Sequence, residues 1–149
     1  MDKWIAVKNI MTTDLITADP DEQLSSVKHK LMDNHIQHIP VVEEKKILGI
    51  ISKSDIHRME HHFTLFKSEK ALQSNIQLFS TMLASEVMTK SLVKLKESEP
   101  INLAVDLFRE NMFHALPVVN EKDQLVGIVT PLDLLRYAYD DHPALNQYC

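Results

Sequence analysis

The sequence predicts an α+β fold built from two copies of one β-α-β-β-α unit, and three observations lead there. The first is a repeat. "NIMTTDLIT" from Asn9 answers "EVMTKSLVK" from Glu86, "HIPVV" from His38 answers "ALPVV" from Ala115, and "LGIISKSD" from Leu48 answers "VGIVTPLD" from Val126. The offset is 77 from Met11 to Met88 and from Pro40 to Pro117, and 78 from Gly49 to Gly127. The extra residue falls in the polar stretch "NEKDQ" after Val119, where an insertion costs little. The second observation is that each copy pairs two β-branched runs across a charged turn. The third is an apolar stripe at helical spacing ahead of each pair of runs.

The elements follow in order. In the first copy "LIT", ending at Thr17, reads as a short strand. "DPDE" then reads as a helix start, with Asp19 as N-cap, Pro20 at the first position and Glu22 at the third. Leu24, Val27 and Leu31 recur on one face of that helix. "HIPVV" and "KILGII" are strands joined by the turn "EEKK". In the second copy Pro100 sits at a helix start, and Ile101, Ala104, Val105, Phe108 and Met112 form the stripe. "LPVV" and "LVGIV" are its strands. Proline has no N–H for a sheet ladder, so each "PVV" predicts a strand's first residue or an edge position.

Residues 52–99 contain neither glycine nor proline. Ile56, Met59, Phe63 and Phe66, then Leu72, Ile76, Phe79 and Leu83 with a shift of phase, predict one long or slightly interrupted helix between the copies. Its apolar face has its own module or another subunit to pack on. The expected organisation is a first repeat over 1–60, a helical extension over 61–80, a second repeat over 81–140 and a tail over 141–149.

Composition narrows the function. Hydrophobic content of 44% and charged content of 25% are ordinary for a soluble globular domain. No apolar run reaches the roughly 18 residues that span a bilayer, so no membrane association is expected. "MDKWIAVKNIM" does not have the pattern of a signal peptide. The one cysteine, Cys149, leaves no internal disulfide framework, and a cytoplasmic location is the expectation. A net charge of −5 without a basic cluster excludes a nucleic-acid surface. Any phosphate must therefore be held by local groups.

The chain has two glycines, Gly49 and Gly127, and both open the same frame, "GIISKSD" and "GIVTPLD". One reading is structural: Ser52 and Thr130 are N-caps, Asp55 and Asp133 close an imperfect capping box, and Pro131 suits a first helical position. The other is functional. A helix start offers free N–H groups and the positive end of the helix dipole to an anion. A neighbouring hydroxyl can donate to a phosphate oxygen, and a carboxylate can accept from the two hydroxyls of a ribose. A glycine without Cβ admits a ligand or another strand close to the backbone. Hydroxyl, helix start, carboxylate and apolar strand residues together suit a nucleotide, and the recurrence of Gly, hydroxyl and Asp in both copies favours this reading.

Met11-Thr12, Ile39-Pro40-Val41-Val42 and Gly49…Ser52…Asp55, repeated as Met88-Thr89, Leu116-Pro117-Val118-Val119 and Gly127…Thr130…Asp133, resemble a tandem of cystathionine-β-synthase (CBS) repeats, a Bateman module of the stand-alone bacterial type. The resemblance covers nearly the whole chain, apart from the middle helix extension and the tail after about Tyr139. It implies two units packed with pseudo-twofold symmetry around two clefts, each able to take AMP, ADP, ATP or S-adenosylmethionine. By this resemblance Asp55 and Asp133 hold ribose, and Ser52 and Thr130 contact phosphate. Ile16, Thr17 and Val93, with His38, Ile39, Ala115 and Leu116, line the base pockets. Lys94 stands where the first copy has Thr17, so the clefts are expected to differ. Lys53 or Arg136 could add positive charge near phosphate.

Other signals are weaker. "HRMEH", residues 57–61, fits an inverted zinc-protease pattern. The helical phase, however, turns His57 and His61 away from the apolar stripe, toward solvent, and no third ligand is evident. His38 and His114 lie beside the "PVV" strands, as ligand contacts or as packing residues. Trp4 is expected to cover the core or a dimer surface, and the methionines to act as flexible packing. The expected function is a non-enzymatic regulatory module with an adenosine-type ligand, a homodimeric state and an unidentified regulated partner. The alternatives are a dimeric assembly module with unoccupied clefts and, less favoured, a zinc-dependent hydrolase.

Overall fold

A computed structural model describes residues 2–63 and 69–139 of the chain. The chain divides into two compact units that cut across the repeat. A contiguous unit holds residues 16–92, and a split unit holds residues 1–15 together with 93–149. The architecture is α+β, with two small sheets and six α-helices among the described residues.

The contiguous unit comprises α1 (Leu24–Asp33), β1 (His38–Glu43), β2 (Lys46–Ser52), α2 (Lys53–Phe63), α3 (Glu69–Thr81) and α4 (Ala84–Val87). Leu24, Val27 and Leu31 of α1 are buried with Ile39, Val41, Ile51, Ile56 and Phe79 in one core. The helix begins four residues after the predicted start. Residues 19–22 form a turn instead, in which Glu22 N–H donates to the Asp19 carbonyl and Glu22 Oε2 accepts from Asp19 N–H, both at 3.1 Å. The first N–H of α1, from Leu24, reaches the Met82 carbonyl at 2.8 Å. A segment preceding the second copy thus satisfies the helix start that no side chain caps.

β1 and β2 form an antiparallel hairpin in which His38 faces Ser52 and Val41 faces Gly49. Glu44 and Lys45 at its tip both have positive φ, 48° and 69°, as a two-residue hairpin turn of matching twist demands. "LIT" is not a strand. Only Ala18, one residue later, pairs with β1, its N–H on the Pro40 carbonyl and its carbonyl under Val42 N–H, each at 2.9 Å. In the inter-copy segment α3 ends at Thr81 and α4 begins at Ala84, an interruption within the expected long or slightly interrupted helix, while residues 64–68, including Phe66, lie outside the described residues. Of the predicted stripe, Ile56 and Phe79 are buried, whereas Ile76 is 63% exposed.

The split unit opens with a 3₁₀ turn at Val7–Asn9 and continues with β3 (Leu95–Lys96), α5 (Ile101–Arg109), β4 (Leu116–Val119), β5 (Leu125–Val129) and α6 (Pro131–Tyr139). The cysteine and the rest of the tail lie outside the described residues. The strand order is β3-β4-β5, with β3 parallel and β5 antiparallel to β4. Val7, Leu95, Ile101, Ala104, Leu116, Val118 and Val129 form its core. Pro100 occupies the N-cap of α5, and Ile101 N–H reaches the Ile5 carbonyl at 2.9 Å, the counterpart of Leu24 on Met82. Of the α5 stripe, Met112 stands exposed beyond the helix, and Trp4, expected to cover the core or a dimer surface, is 69% exposed.

Neither "PVV" proline begins a strand, and Pro117 lies in the central strand of its sheet. The missing N–H costs nothing because of register. Pro117 faces Ile128, whose own N–H and carbonyl point away to Thr12 at 3.0 and 2.9 Å. Pro40 faces Ile50, which bonds Thr89 in the same manner at 3.1 and 2.9 Å. Both prolines thus sit in non-hydrogen-bonded pairs of their hairpins, where no ladder donor is required.

Candidate functional site

The glycine frame resolves into a strand-to-helix corner in each unit. In the contiguous unit, β2 ends at Ser52 and α2 starts at Lys53. Ser52 N–H donates to Asp55 Oδ2 at 2.9 Å, and Asp55 N–H donates to Ser52 Oγ at 3.1 Å. This is a reciprocal capping box with Asp in place of Glu. The Ser52 hydroxyl also lies 2.8 Å from that of Ser54, and Arg58 pairs with Asp55 Oδ1. Burial works against the charge on Asp55. Hydrogen bonds from the Ser52 main chain and side chain, with Arg58 one turn on, outweigh it and hold the carboxyl below its ordinary range.

In the split unit, Thr130 N–H and Oγ1–H both donate to Asp133 Oδ2 at 2.7 Å, and Thr12 Oγ1–H donates to Asp133 Oδ1 at 3.2 Å. Asp133 is 7% exposed, the one buried charged residue among those described. Arg136, the repeat counterpart of Arg58, is exposed and makes no ion pair among the described residues.

Both glycines serve the backbone approach of a methionine-threonine segment. A Cβ on Gly49 would lie 2.5 Å from Met88 Sδ and 2.8 Å from Met88 Cβ. One on Gly127 would overlap Met11 Sδ and come within 3.1 Å of the Thr12 carbonyl oxygen. Of the two uses for these glycines, ligand approach or strand approach, the structure fills both with a neighbouring segment of the same unit.

Each unit gathers its own predicted residues. Thr17 is half-buried, and its carbonyl accepts Lys30 Nζ at 2.9 Å. Ile16 packs on the contiguous core, and His38 is half-buried opposite Ser52. Ile39 and Leu116 have no exposed surface, so their side chains belong to the cores and only their main chains remain to line a pocket. Ala115 is half-buried, and Val93 is exposed and outside any strand, with pairing deferred to Leu95 and Lys96. Lys94 forms an ion pair with Asp123 at 2.8 Å. Sequence reasoning assigned no role to Thr12 or Arg58. Their signals were present in the recurring "MT" and in an Asp-x-x-Arg that both copies share.

In "HRMEH", His57 and His61 are exposed as the helical phase predicts, with His57 Nδ1 3.7 Å from Glu60 Oε2. No group of three or more potential metal ligands is found among the described residues. No described helix is long and apolar enough to cross a membrane.

Two α+β units with matching Gly, hydroxyl and Asp corners define a tandem-repeat protein, and comparison with known families names the repeat. The model of the CBS domain matches twice, over residues 7–62 and 84–140, and the chain belongs to the CBS-domain family. It is 27% identical over 137 residues to the uncharacterized protein MJ1225 of Methanocaldococcus jannaschii, covering 92% of this chain and 48% of that protein. It is 29% identical over 128 residues to the inosine-5′-monophosphate dehydrogenase of the same organism, covering 85% of this chain and 22% of the enzyme. The chain thus spans about half or less of the length of these relatives. The crystal structure of MJ1225 superposes with a TM-score of 0.79 over 93% of this chain and 49% of that one. The CBS domain pair of protein MJ0100, solved with 5′-methylthioadenosine and S-adenosyl-L-methionine, is 28% identical with a TM-score of 0.69, covering 91% of this chain and 96% of that chain.

Proposed function

We propose that the chain is a regulatory module that binds an adenosine-type ligand, an adenine nucleotide or S-adenosylmethionine, and itself catalyses nothing. One observation carries this reading: a CBS pair 28% identical to this chain, matched almost end to end, is solved with 5′-methylthioadenosine and S-adenosyl-L-methionine. The local chemistry supports it. Each corner sets a hydroxyl and a carboxylate at a helix start, the groups a ribose and an anion need. Asp55 would accept from the ribose hydroxyls, since each carboxylate oxygen has two lone pairs and the capping bonds leave some of them open. Ser52 and Ser54 would meet the polar end of the ligand, with Thr17 and His38 beside the base. Asp133, Thr130 and Arg136 would do the same in the split unit. Binding would alter a partner's activity only so far as the ligand prefers one arrangement of the module over another. The reading extends to a homodimer acting in the cytoplasm.

A second reading, an assembly module with unoccupied clefts, is favoured by the capping bonds themselves, which tie both aspartates to their own main chain. Thermal unfolding with 5′-methylthioadenosine, S-adenosylmethionine, AMP, ADP and ATP separates the two. A ligand at 100 times its Kd adds about 2.7 kcal/mol of stability. A rise with one of these compounds, removed by Asp55→Ala, supports the sensor. No rise with any of them supports the assembly module.

A further inference from the structure

The turn that leads into α1 carries an ion pair that the repeat does not require. Glu22 Oε2 accepts Asp19 N–H at 3.1 Å, and its counterpart Glu99 Oε2 accepts Lys96 N–H at 2.8 Å, so both copies close this turn with a glutamate. Only the first copy adds a cation to it. Lys30 Nζ, from α1, donates to Glu22 Oε2 at 2.8 Å and to the Thr17 carbonyl at 2.9 Å. The residue 77 positions on is Leu107, which packs on the core of the split unit.

Stability is a weak reason for the lysine. The Glu22 side chain is only 14% exposed, and drawing two charges partly out of water offsets most of their attraction. The second bond of Lys30 is the informative one. Thr17 lies outside any strand, and the peptide joining it to Ala18 is held on one side by Ala18 N–H on the Pro40 carbonyl at 2.9 Å and on the other by Lys30. In the second copy, pairing with β4 spans Leu95 and Lys96, where the first copy pairs Ala18 alone. Lys94, at the Thr17 position, turns to Asp123 instead. A side chain thus fixes in the contiguous unit what a longer strand pairing fixes in the split one.

We propose that Lys30 is a positioning residue of the adenosine site in the contiguous unit: it pins the Thr17 peptide and so sets the Thr17 side chain against the base. The inference rests on the adenosine reading above, in which Thr17 lies beside the base.

Lys30→Leu, the exchange that the second copy itself makes, and Lys30→Arg test it. Calorimetric titration of the native chain with 5′-methylthioadenosine and 5′-methylthioinosine, which differ only in the base, gives the reference preference for the adenine compound. Lys30→Leu, shown by circular dichroism to be folded, binds 5′-methylthioadenosine about tenfold more weakly, the worth of one hydrogen bond. It loses less affinity for the inosine compound, so the preference narrows. Lys30→Arg keeps a donor in reach and retains the native preference. Native affinity for 5′-methylthioadenosine in Lys30→Leu, or an equal proportional loss for both compounds, overturns the proposal and leaves the adenosine reading standing. No binding of 5′-methylthioadenosine by the native chain removes that reading and this inference with it.

Discussion

The corners at Asp55 and Asp133 carry the same Gly-x-x-hydroxyl-x-x-Asp frame but commit their carboxylates to different degrees. Asp133 is buried and receives three donors, one of them the Thr12 hydroxyl from a segment over a hundred residues away in sequence. Asp55 is half-buried and receives Ser52 N–H and the neighbouring Arg58, and the Thr89 counterpart of Thr12 does not bond it. One carboxylate fastens the Met11-Thr12 segment to its unit. The other stays near the surface beside a pair of serine hydroxyls. Equal sequence frames thus give one corner that is mainly a fastener and one that is more open to a ligand.

Breaking the fastener gives the largest expected effects. Gly127→Ala forces Cβ against the Thr12 carbonyl, which cannot rotate away, and costs about 3 kcal/mol. Gly49→Ala sets its Cβ 2.8 Å from Met88 Cβ, which the backbone holds in place, and costs a similar ~3 kcal/mol; Met88→Ala removes the Sδ and Cγ overlaps but keeps that Cβ, so the double variant Gly49→Ala/Met88→Ala recovers little. Urea unfolding of Gly127→Ala, Gly49→Ala, Met88→Ala and the double variant checks both values. Next, Asp133→Ala strands two hydroxyls and a main-chain N–H and costs about 2 kcal/mol, whereas Asp55→Ala removes a cap and costs about 1 kcal/mol. Equal losses at the two sites would erase the distinction between them.

Acid tests the Asp55 corner. The folded state holds the Asp55 carboxyl below its ordinary value. Its contribution is therefore fully present above about pH 4, the unfolded value, and fades as pH falls through the lower folded one. Glu22 behaves likewise: burial opposes its charge, but Lys30, Ser26 and the Asp19 N–H outweigh burial. Asp55→Asn should flatten the acid limb of the stability curve, measured as unfolding midpoint against pH from 6 to 2. A steeper limb in the variant would contradict the direction given. The smallest effect lies in the contiguous hairpin. Glu44→Asn with Lys45→Gly relieves two positive φ angles and should stabilise by about 0.5 kcal/mol in the same unfolding assay.

Local signals were legible in the sequence and partnerships were not. The capping box at Ser52, the Thr130–Asp133 contact, the strands around Val41 and Val118 and the shared corners follow from spacing alone. The start of α1 was misplaced because Leu24 N–H is satisfied by Met82, some sixty residues away, and no local pattern announces that. The same holds for the lead-in segments. Met11-Thr12 packs on Gly127 and Met88-Thr89 on Gly49, each on the opposite copy, and two near-identical copies offer no sequence basis for choosing between self and exchange. Pro117 looked unfit for a central strand until the register showed that its neighbours require no donor. Of the candidate site, the corner residues were legible, whereas the burial of Ile39 and Leu116 depends on which way each strand faces its core.

The claim that matters most is that the Asp55 corner receives an adenosine-type ligand. Calorimetric titration of 5′-methylthioadenosine into the native chain and into Asp55→Ala, with circular dichroism confirming that both are folded, addresses it directly. Saturable binding to the native chain that drops at least tenfold in the variant is the predicted result; undiminished affinity in Asp55→Ala would contradict it.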